Sequence, residues 1–225
     1  MLSMIRGTPW AWAAFANCSA LEEISLPSGV TTVGDFAFFG CTSLDSVSLP
    51  SGLKTIGQKA FKNCTALETV KLPDTLATLG KAAFFNSGLV AATVPGSVAK
   101  VDDYTFQKCA SLVKVTLGSG VTEIGGSVFA NDDSLTTATL PDTLEAIGSY
   151  AFFRCPSLTL SALPSSVKSI GDKAFKHCTS IASLSLGAGV TAIPREMCNY
   201  CRSLKSVTAA GSLESIALGA FGNCP

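Results

Sequence analysis

Leu49-Pro50-Ser51-Gly52-Leu53-Lys54-Thr55-Ile56-Gly57-Gln58-Lys59-Ala60-Phe61-Lys62-Asn63-Cys64-Thr65-Ala66-Leu67-Glu68-Thr69-Val70-Lys71 is one copy of a phrase that recurs along nearly the whole chain. Copies begin at Leu26, Leu49, Leu72, Val94, Leu117, Leu140, Leu163, Leu186 and Ala209, a period of about 23 residues. Counted from the leucine, positions 1, 5, 8, 12, 13, 16, 19 and 22 are apolar or small in almost every copy. A unit this short cannot bury its apolar groups alone. Stacked copies can, each covering the same positions above and below, so the expected architecture is a repeat solenoid whose coils touch only their neighbours.

The local pattern predicts the parts of a coil. Leu67-Glu68-Thr69-Val70-Lys71-Leu72 alternates, with Val70 and Leu72 inward and Thr69 and Lys71 outward, as in a half-exposed strand. Proline follows at position 2 in most copies (Pro27, Pro50, Pro73, Pro95, Pro141, Pro164); it lacks an N–H and ends the strand. Val121-Thr122-Glu123-Ile124 fits a short second strand. Glycine at position 9, as in Gly34, Gly57 and Gly148, suggests a corner with positive φ. Ala-Phe-x-x-Cys then reads as a short helical turn. Position 13 carries a column of Phe15, Phe38, Phe61, Phe84, Phe106, Phe129, Phe152, Phe175 and Phe221, interrupted by Cys198. The third coil is one residue short at Asn86-Ser87-Gly88-Leu89, which predicts a local kink without loss of register beyond it.

Composition sets further bounds. The 225 residues carry 16 basic and 16 acidic side chains, a net charge of zero, with no basic surplus for nucleic acid. Hydrophobic residues are 47% of the chain, but no apolar run reaches the roughly 18 residues of a spanning helix. No linker interrupts the period, so residues 1–225 read as a single solenoid domain. Within it, 1–25 is a degraded first coil rather than a signal peptide, and 209–225 a truncated last coil. Neither end has a polar cap, which predicts a fragment of a longer chain, or end-to-end association through the uncapped coils.

The phrase from Leu49 to Leu67 resembles the leucine-rich repeat superfamily, in its BspA-like (surface-antigen, Treponema-type) class. The likeness runs from about Phe15 to Cys224. It implies a right-handed coil with parallel strands on the concave face, short second strands and short helical turns. It also implies a protein-interaction or adhesin role at a cell surface. The sequence departs from the general leucine-rich pattern at Gly52, where asparagine or cysteine is usual eight residues after the first leucine. No binding residue carries over, since those of the family occupy variable positions, and fold analogy is a weak warrant for function.

The conspicuous side chains read as structural. Of nine cysteines, Cys18, Cys41, Cys64, Cys109, Cys155, Cys178, Cys201 and Cys224 share position 16, a column of buried thiols. Disulfides between coils would need specific Cβ geometry, and the odd count argues against complete pairing. Cys198-Asn199-Tyr200-Cys201 has metal-like spacing, but it arises because Cys198 fills the phenylalanine position; a column offers a line of ligands, whereas zinc needs four convergent ones. His177, the single histidine, reads as a turn residue. Asp102-Asp103 and Asp132-Asp133 read as solvated turn acids, and Asn17-Cys18-Ser19 and Asn63-Cys64-Thr65 match glycosylation acceptors through the repeat itself. No catalytic residues, metal or cofactor are expected.

Two surfaces remain for function. Outward strand positions form a hydroxyl-rich ladder: Ser46, Ser48, Thr69, Lys71, Lys114, Thr116, Thr137, Thr139, Ser183 and Ser185. An outer aromatic edge comprises Phe36, Phe39, Phe85, Tyr104, Tyr150 and Phe153, residue types favoured at binding hot spots. The leading expectation is a non-catalytic scaffold with a protein partner, without nucleic acid or membrane insertion. The alternatives are a flat Ser/Thr array for glycan or ice, which Glu23, Lys71, Lys114 and Leu160 interrupt, and a structural spacer joined to other domains. Abundant unpaired cysteine points to a reducing interior, the resemblance to a cell surface.

Overall fold

Alternating side chains in each coil make two strands, and stacking makes them parallel. The computed structural model describes residues 13–225; the part of the first coil before Ala13 lies outside them. The longer strands pair in three groups: Glu23–Ser25 with Ser46–Ser48; Ala91–Val94, Lys114–Leu117 and Thr137–Thr139; and Ser183–Leu186 with Ser206–Ala209. The two-residue strands form a second series: Thr32–Val33, Thr55–Ile56 and Thr78–Leu79; Lys100–Val101 through Ser169–Ile170; and Ala192–Ile193 with Ser215–Ile216. All pairs are parallel, and Val94 faces Leu117 as Lys100 faces Glu123, so register survives the short third coil as expected.

The third side of the coil differs from the sequence reading. Among the described residues there is no helix. Positions 11 and 15 are left-handed in coil after coil, as at Phe36 (φ 57°) and Gly40 (φ 72°), or Lys59 (φ 55°) and Asn63 (φ 63°). A right-handed helix needs φ near −60° throughout, so it cannot form there. The segment is instead a chain of tight turns. Ala37, Phe39 and Cys41 donate to carbonyls three residues back, at 3.3, 3.0 and 3.2 Å. The alternate N–H groups of Phe36, Phe38 and Gly40 donate to Gln58, Ala60 and Lys62 of the next coil, at 2.9, 2.8 and 2.8 Å. Asparagine at position 15 (Asn17, Asn63, Asn86, Asn131, Asn223) follows, since Asn tolerates the left-handed region better than most residues.

The position-9 glycines do not have positive φ; among the described glycines only Gly40, Gly120 and Gly219 do. Crowding selects glycine at position 9. A Cβ on Gly57 would lie 2.6 Å from the Asp35 nitrogen, and one on Gly148 would lie 2.5 Å from the Gly125 carbonyl carbon. The glycine N–H also extends the short-strand ladder, as Gly171 does to Ile147 at 2.8 Å. Asp102, Pro194 and Ala217 take this position in three coils; the ladder breaks beside the first two and continues at Ala217, which donates to Ile193 at 2.9 Å. Pro194 has no N–H to donate.

The longer-strand ladder is also interrupted twice. The stretch 67–72 alternates in sequence but forms no strand, although the Val90 N–H donates to the Glu68 carbonyl at 3.0 Å as Val113 does to Val90 in the next coil. In 159–162 the apolar residue has moved one place: Leu160 packs against the core and Ser161 is exposed. A one-residue phase shift turns a strand's inward set outward. Only the Ala162–Ser185 bridge remains there.

The core is a row of matched layers. Phe38, Phe61, Phe84, Phe106, Phe129, Phe152 and Phe175 have no exposed surface. Successive rings stack 5.1–5.7 Å apart along this row. Phe15 extends the stack from the first coil at 5.3 Å. Beyond Phe175, Met197 and Cys198 replace the usual Ala-Phe pair, and both are fully buried. We expect Phe106→Ala to cost about 3–5 kcal/mol in denaturant unfolding, since it opens a cavity in mid-stack; a loss below about 1 kcal/mol would contradict the stacked core.

Candidate functional site

The cysteines at position 16 belong to the same hydrogen-bond system as the turns. From Cys41 onward each position-16 thiol reaches back to the position-13 carbonyl of the preceding coil, as Cys64 to Phe38 (3.1 Å), Cys155 to Phe129 (2.9 Å), Cys178 to Phe152 (3.0 Å) and Cys201 to Phe175 (3.1 Å). The nine cysteines are all free thiols. Burial pushes Cys64, Cys155 and Cys178 above the ordinary thiol range, which makes them poor nucleophiles.

Asp132 corrects the sequence reading. It is not a solvated turn acid; it occupies position 16 of its coil, where the neighbouring coils have Cys109 and Cys155, and has no exposed surface. Its Oδ1 accepts the Cys109 N–H at 2.8 Å, and its Oδ2 has no hydrogen-bond partner. Desolvation holds its carboxyl well above the usual carboxylate range. Protonation would turn Oδ2 into a donor, which is what the thiol supplies elsewhere. Its neighbour Asp133 is exposed. The other acid pair is also structural: Asp102 Oδ1 accepts the Asp103 N–H at 2.8 Å, and Asp103 Oδ1 accepts the Gly126 N–H at 2.7 Å.

Cys198 and Cys201 are both buried and hydrogen-bonded to each other. That bond holds Cys201 below the usual thiol range and, together with burial, raises Cys198. Among the described residues, no group of three or more His, Cys, Asp or Glu is placed to hold a metal ion. His177 lies in the left-handed position 15 (φ 65°), its ring stacked 4.7 Å from Tyr200. Burial, then Lys176, Arg154 and Arg202, lowers its pKa.

Most of the strand ladder is exposed, as at Ser46, Ser48, Lys114, Thr137, Thr139, Ser183 and Ser185, and Thr116 is half-buried. Thr69 and Lys71 are exposed but lie outside any strand. Register aligns Thr93, Thr116 and Thr139 in one row and Ser185 with Thr208 in another. The two interruptions divide the face into three patches rather than one flat array.

The aromatic edge lies on the turn side of the coils. Tyr104 is 37% exposed, and Phe36, Phe39, Phe85, Tyr150 and Phe153 are half-buried. The sequence reading missed the partners of these rings. Lys59 lies 4.9 Å from the Phe36 centroid, Lys81 5.1 Å from Tyr104, and Lys173 5.2 Å from Tyr150. Phe85 is flanked by two ammonium groups, Lys62 at 4.4 Å and Lys108 at 5.7 Å. These lysines fall at positions 10, 11, 14 and 15, so the repeat frame held the signal: cations one coil away from each ring.

Parallel strands, tight turns and stacked side-chain columns together define a parallel β-solenoid repeat protein. The chain belongs to the BspA-type leucine-rich repeat family: the model of a BspA type leucine rich repeat region, six copies long, matches residues 12–113 and 100–225. Solved bacterial structures share the fold. A T. pallidum leucine rich repeat protein is 25% identical with a TM-score of 0.60, covering 90% of this chain and 78% of that one. A Bacteroides ovatus leucine-rich repeat protein is 23% identical with a TM-score of 0.59, covering 95% and 67%. A Faecalibacterium prausnitzii leucine rich cell surface protein is 26% identical with a TM-score of 0.55, covering 88% and 62%. This chain therefore spans about two thirds of the last two. No curated protein matches it.

Two measurements follow from the buried column. The unfolded carboxyl of Asp132 titrates near 3.8 and the folded one higher, so stability is lost as pH rises from the first value to the second. Relative to Asp132→Asn, the protein should lose about 1.4 kcal/mol for each pH unit crossed in that window. Urea midpoints that stay parallel for the two chains from pH 4 to 8 would contradict a protonated, buried Asp132. With a thiol-reactive disulfide dye, native protein should label promptly at exposed Cys18 and slowly at half-buried Cys224, whereas guanidinium should release all nine. Prompt labelling of Cys64 or Cys155 in native protein would contradict the buried column.

Proposed function

We propose that the chain is a non-catalytic interaction scaffold of a cell surface, and that a protein partner docks on its strand face. The observation that carries this is the fixed register of outward side chains, with Lys114 held between Ala91 and Thr137, and Thr116 between Thr93 and Thr139. Backbone hydrogen bonds on both strand series and along the turns hold that face rigid, which lowers the ordering cost of binding. The buried thiols and structural acids leave no convergent acid, base and nucleophile on this surface. The surface location is suggested by relatives: one similar structure is described as a leucine rich cell surface protein, another as the pneumococcal vaccine antigen PcpA, 24% identical with a TM-score of 0.52.

The test is affinity capture from the native source followed by mass spectrometry, with wild type beside Lys71→Glu/Lys114→Glu. We expect a saturable protein partner whose recovery falls at least tenfold in the variant. Equal recovery by the two chains would remove the strand face as the docking site.

A further inference from the structure

The cations of the turn side differ in what holds them. At the C-terminal end of the turn face, the single carboxylate of Glu196 lies at ion-pair distance from Lys173 (3.8 Å), Arg195 (3.3 Å) and Lys176. Nearer the N-terminus, Lys59, Lys62, Lys81 and Lys108 occupy three successive coils, and none has a carboxylate at ion-pair distance among the described residues. They are held by rings instead. Lys62 and Lys108 flank Phe85, Lys59 lies over Phe36, and Lys81 over Tyr104.

Like charges placed together without counter-ions are costly. Lys62 registers this, its pKa lowered by desolvation and then by Lys59 and Lys108. Ring contacts of this kind contribute about 0.5–1 kcal/mol each at exposed sites, enough to pin a flexible ammonium but not to neutralise it. The ridge is therefore a pre-positioned array of positive charge. An anionic partner would remove the mutual repulsion on binding.

We propose that the turn-side ridge of Lys59, Lys62, Lys81 and Lys108 binds an extended acidic polypeptide segment, by ion pairs to its carboxylates. The proposal rests on the interaction-scaffold reading but uses a different face. A peptide is favoured over an acidic glycan because the protein's own lysines already cover the Phe36 and Phe85 faces, which removes the stacking platforms a sugar ring would use. The dimensions also fit. Three coils at about 4.8 Å spacing set the outer lysines about 10 Å apart, the reach of about three extended residues at roughly 3.3 Å each.

The test is fluorescence anisotropy with a labelled octaglutamate peptide, and in parallel with a heparin-derived hexasaccharide. Wild type should bind octaglutamate at 50 mM salt and lose at least tenfold in affinity at 300 mM, because exposed ion pairs are screened. Lys62→Gln/Lys108→Gln should lose at least tenfold at low salt while keeping the wild-type melting temperature and circular dichroism. Phe85→Leu keeps every charge but frees two lysines, and should lose severalfold. Lys71→Glu/Lys114→Glu on the strand face should bind octaglutamate within twofold of wild type. The proposal is overturned by no octaglutamate binding to wild type, by undiminished binding in the folded Lys62→Gln/Lys108→Gln variant, or by binding of the hexasaccharide alone. The interaction-scaffold reading fails separately: octaglutamate binds the ridge, yet no protein partner is captured from the native source.

Discussion

The constraint on which everything else depends is the backbone hydrogen bonding between coils along the turns. Phe38 donates to Ala60, Phe61 to Ala83 and Phe129 to Ala151, each at 2.8 Å. These bonds fix the separation of successive coils at one side, as the parallel strands do at the others. Once the separation is fixed, identical side chains must lie over one another. Phenylalanine rings can do that at 5.1–5.7 Å with offset faces, and thiols can do it while donating to a carbonyl below. The same bonds require left-handed residues at positions 11 and 15, which rules out a helix and favours Asn or Gly at position 15, although Lys108, Arg154, His177 and Tyr200 also take it. The close approach they impose also selects glycine at position 9.

Because each coil touches only its neighbours, departures from the phrase are absorbed where they occur. The short third coil leaves Val90 bonded to Glu68 and Ala91 in step with Lys114. The two-residue ladder is interrupted beside Asp102 and beside Pro194, while the strands on either side remain paired. At Met197 and Cys198, the pair together fills the space of Ala and Phe, so the core stays closed although the ring stack ends. Asp132 is the departure with a continuing energetic cost, since it places an ionisable group where every neighbour has a thiol or hydroxyl.

Function is left to what the coil exports. The strand side presents hydroxyl and lysine side chains in register, and the turn side presents rings clasped by cations. Ion pairing distinguishes one part of the turn side from another: three cations share Glu196, while the ring-held lysines from Lys59 to Lys108 have no carboxylate at ion-pair distance among the described residues.

The sequence by itself determined the period, the parallel stacking, the phenylalanine and cysteine columns and the family, because each follows from residues repeating at a fixed interval. It also placed the outward hydroxyls, since alternation is a property of the strand alone. Only the tertiary structure decided which way each turn residue bends and what lies one coil away. The helical reading of Ala-Phe-x-x-Cys failed because local propensity yields to φ values imposed by bonds to the next coil. Asp132 looked solvated in the chain, yet it is buried because position in the coil outranks polarity. The lysine–ring pairs join residues one repeat apart in sequence, which become neighbours only when the coils stack at a pitch set by backbone hydrogen bonds.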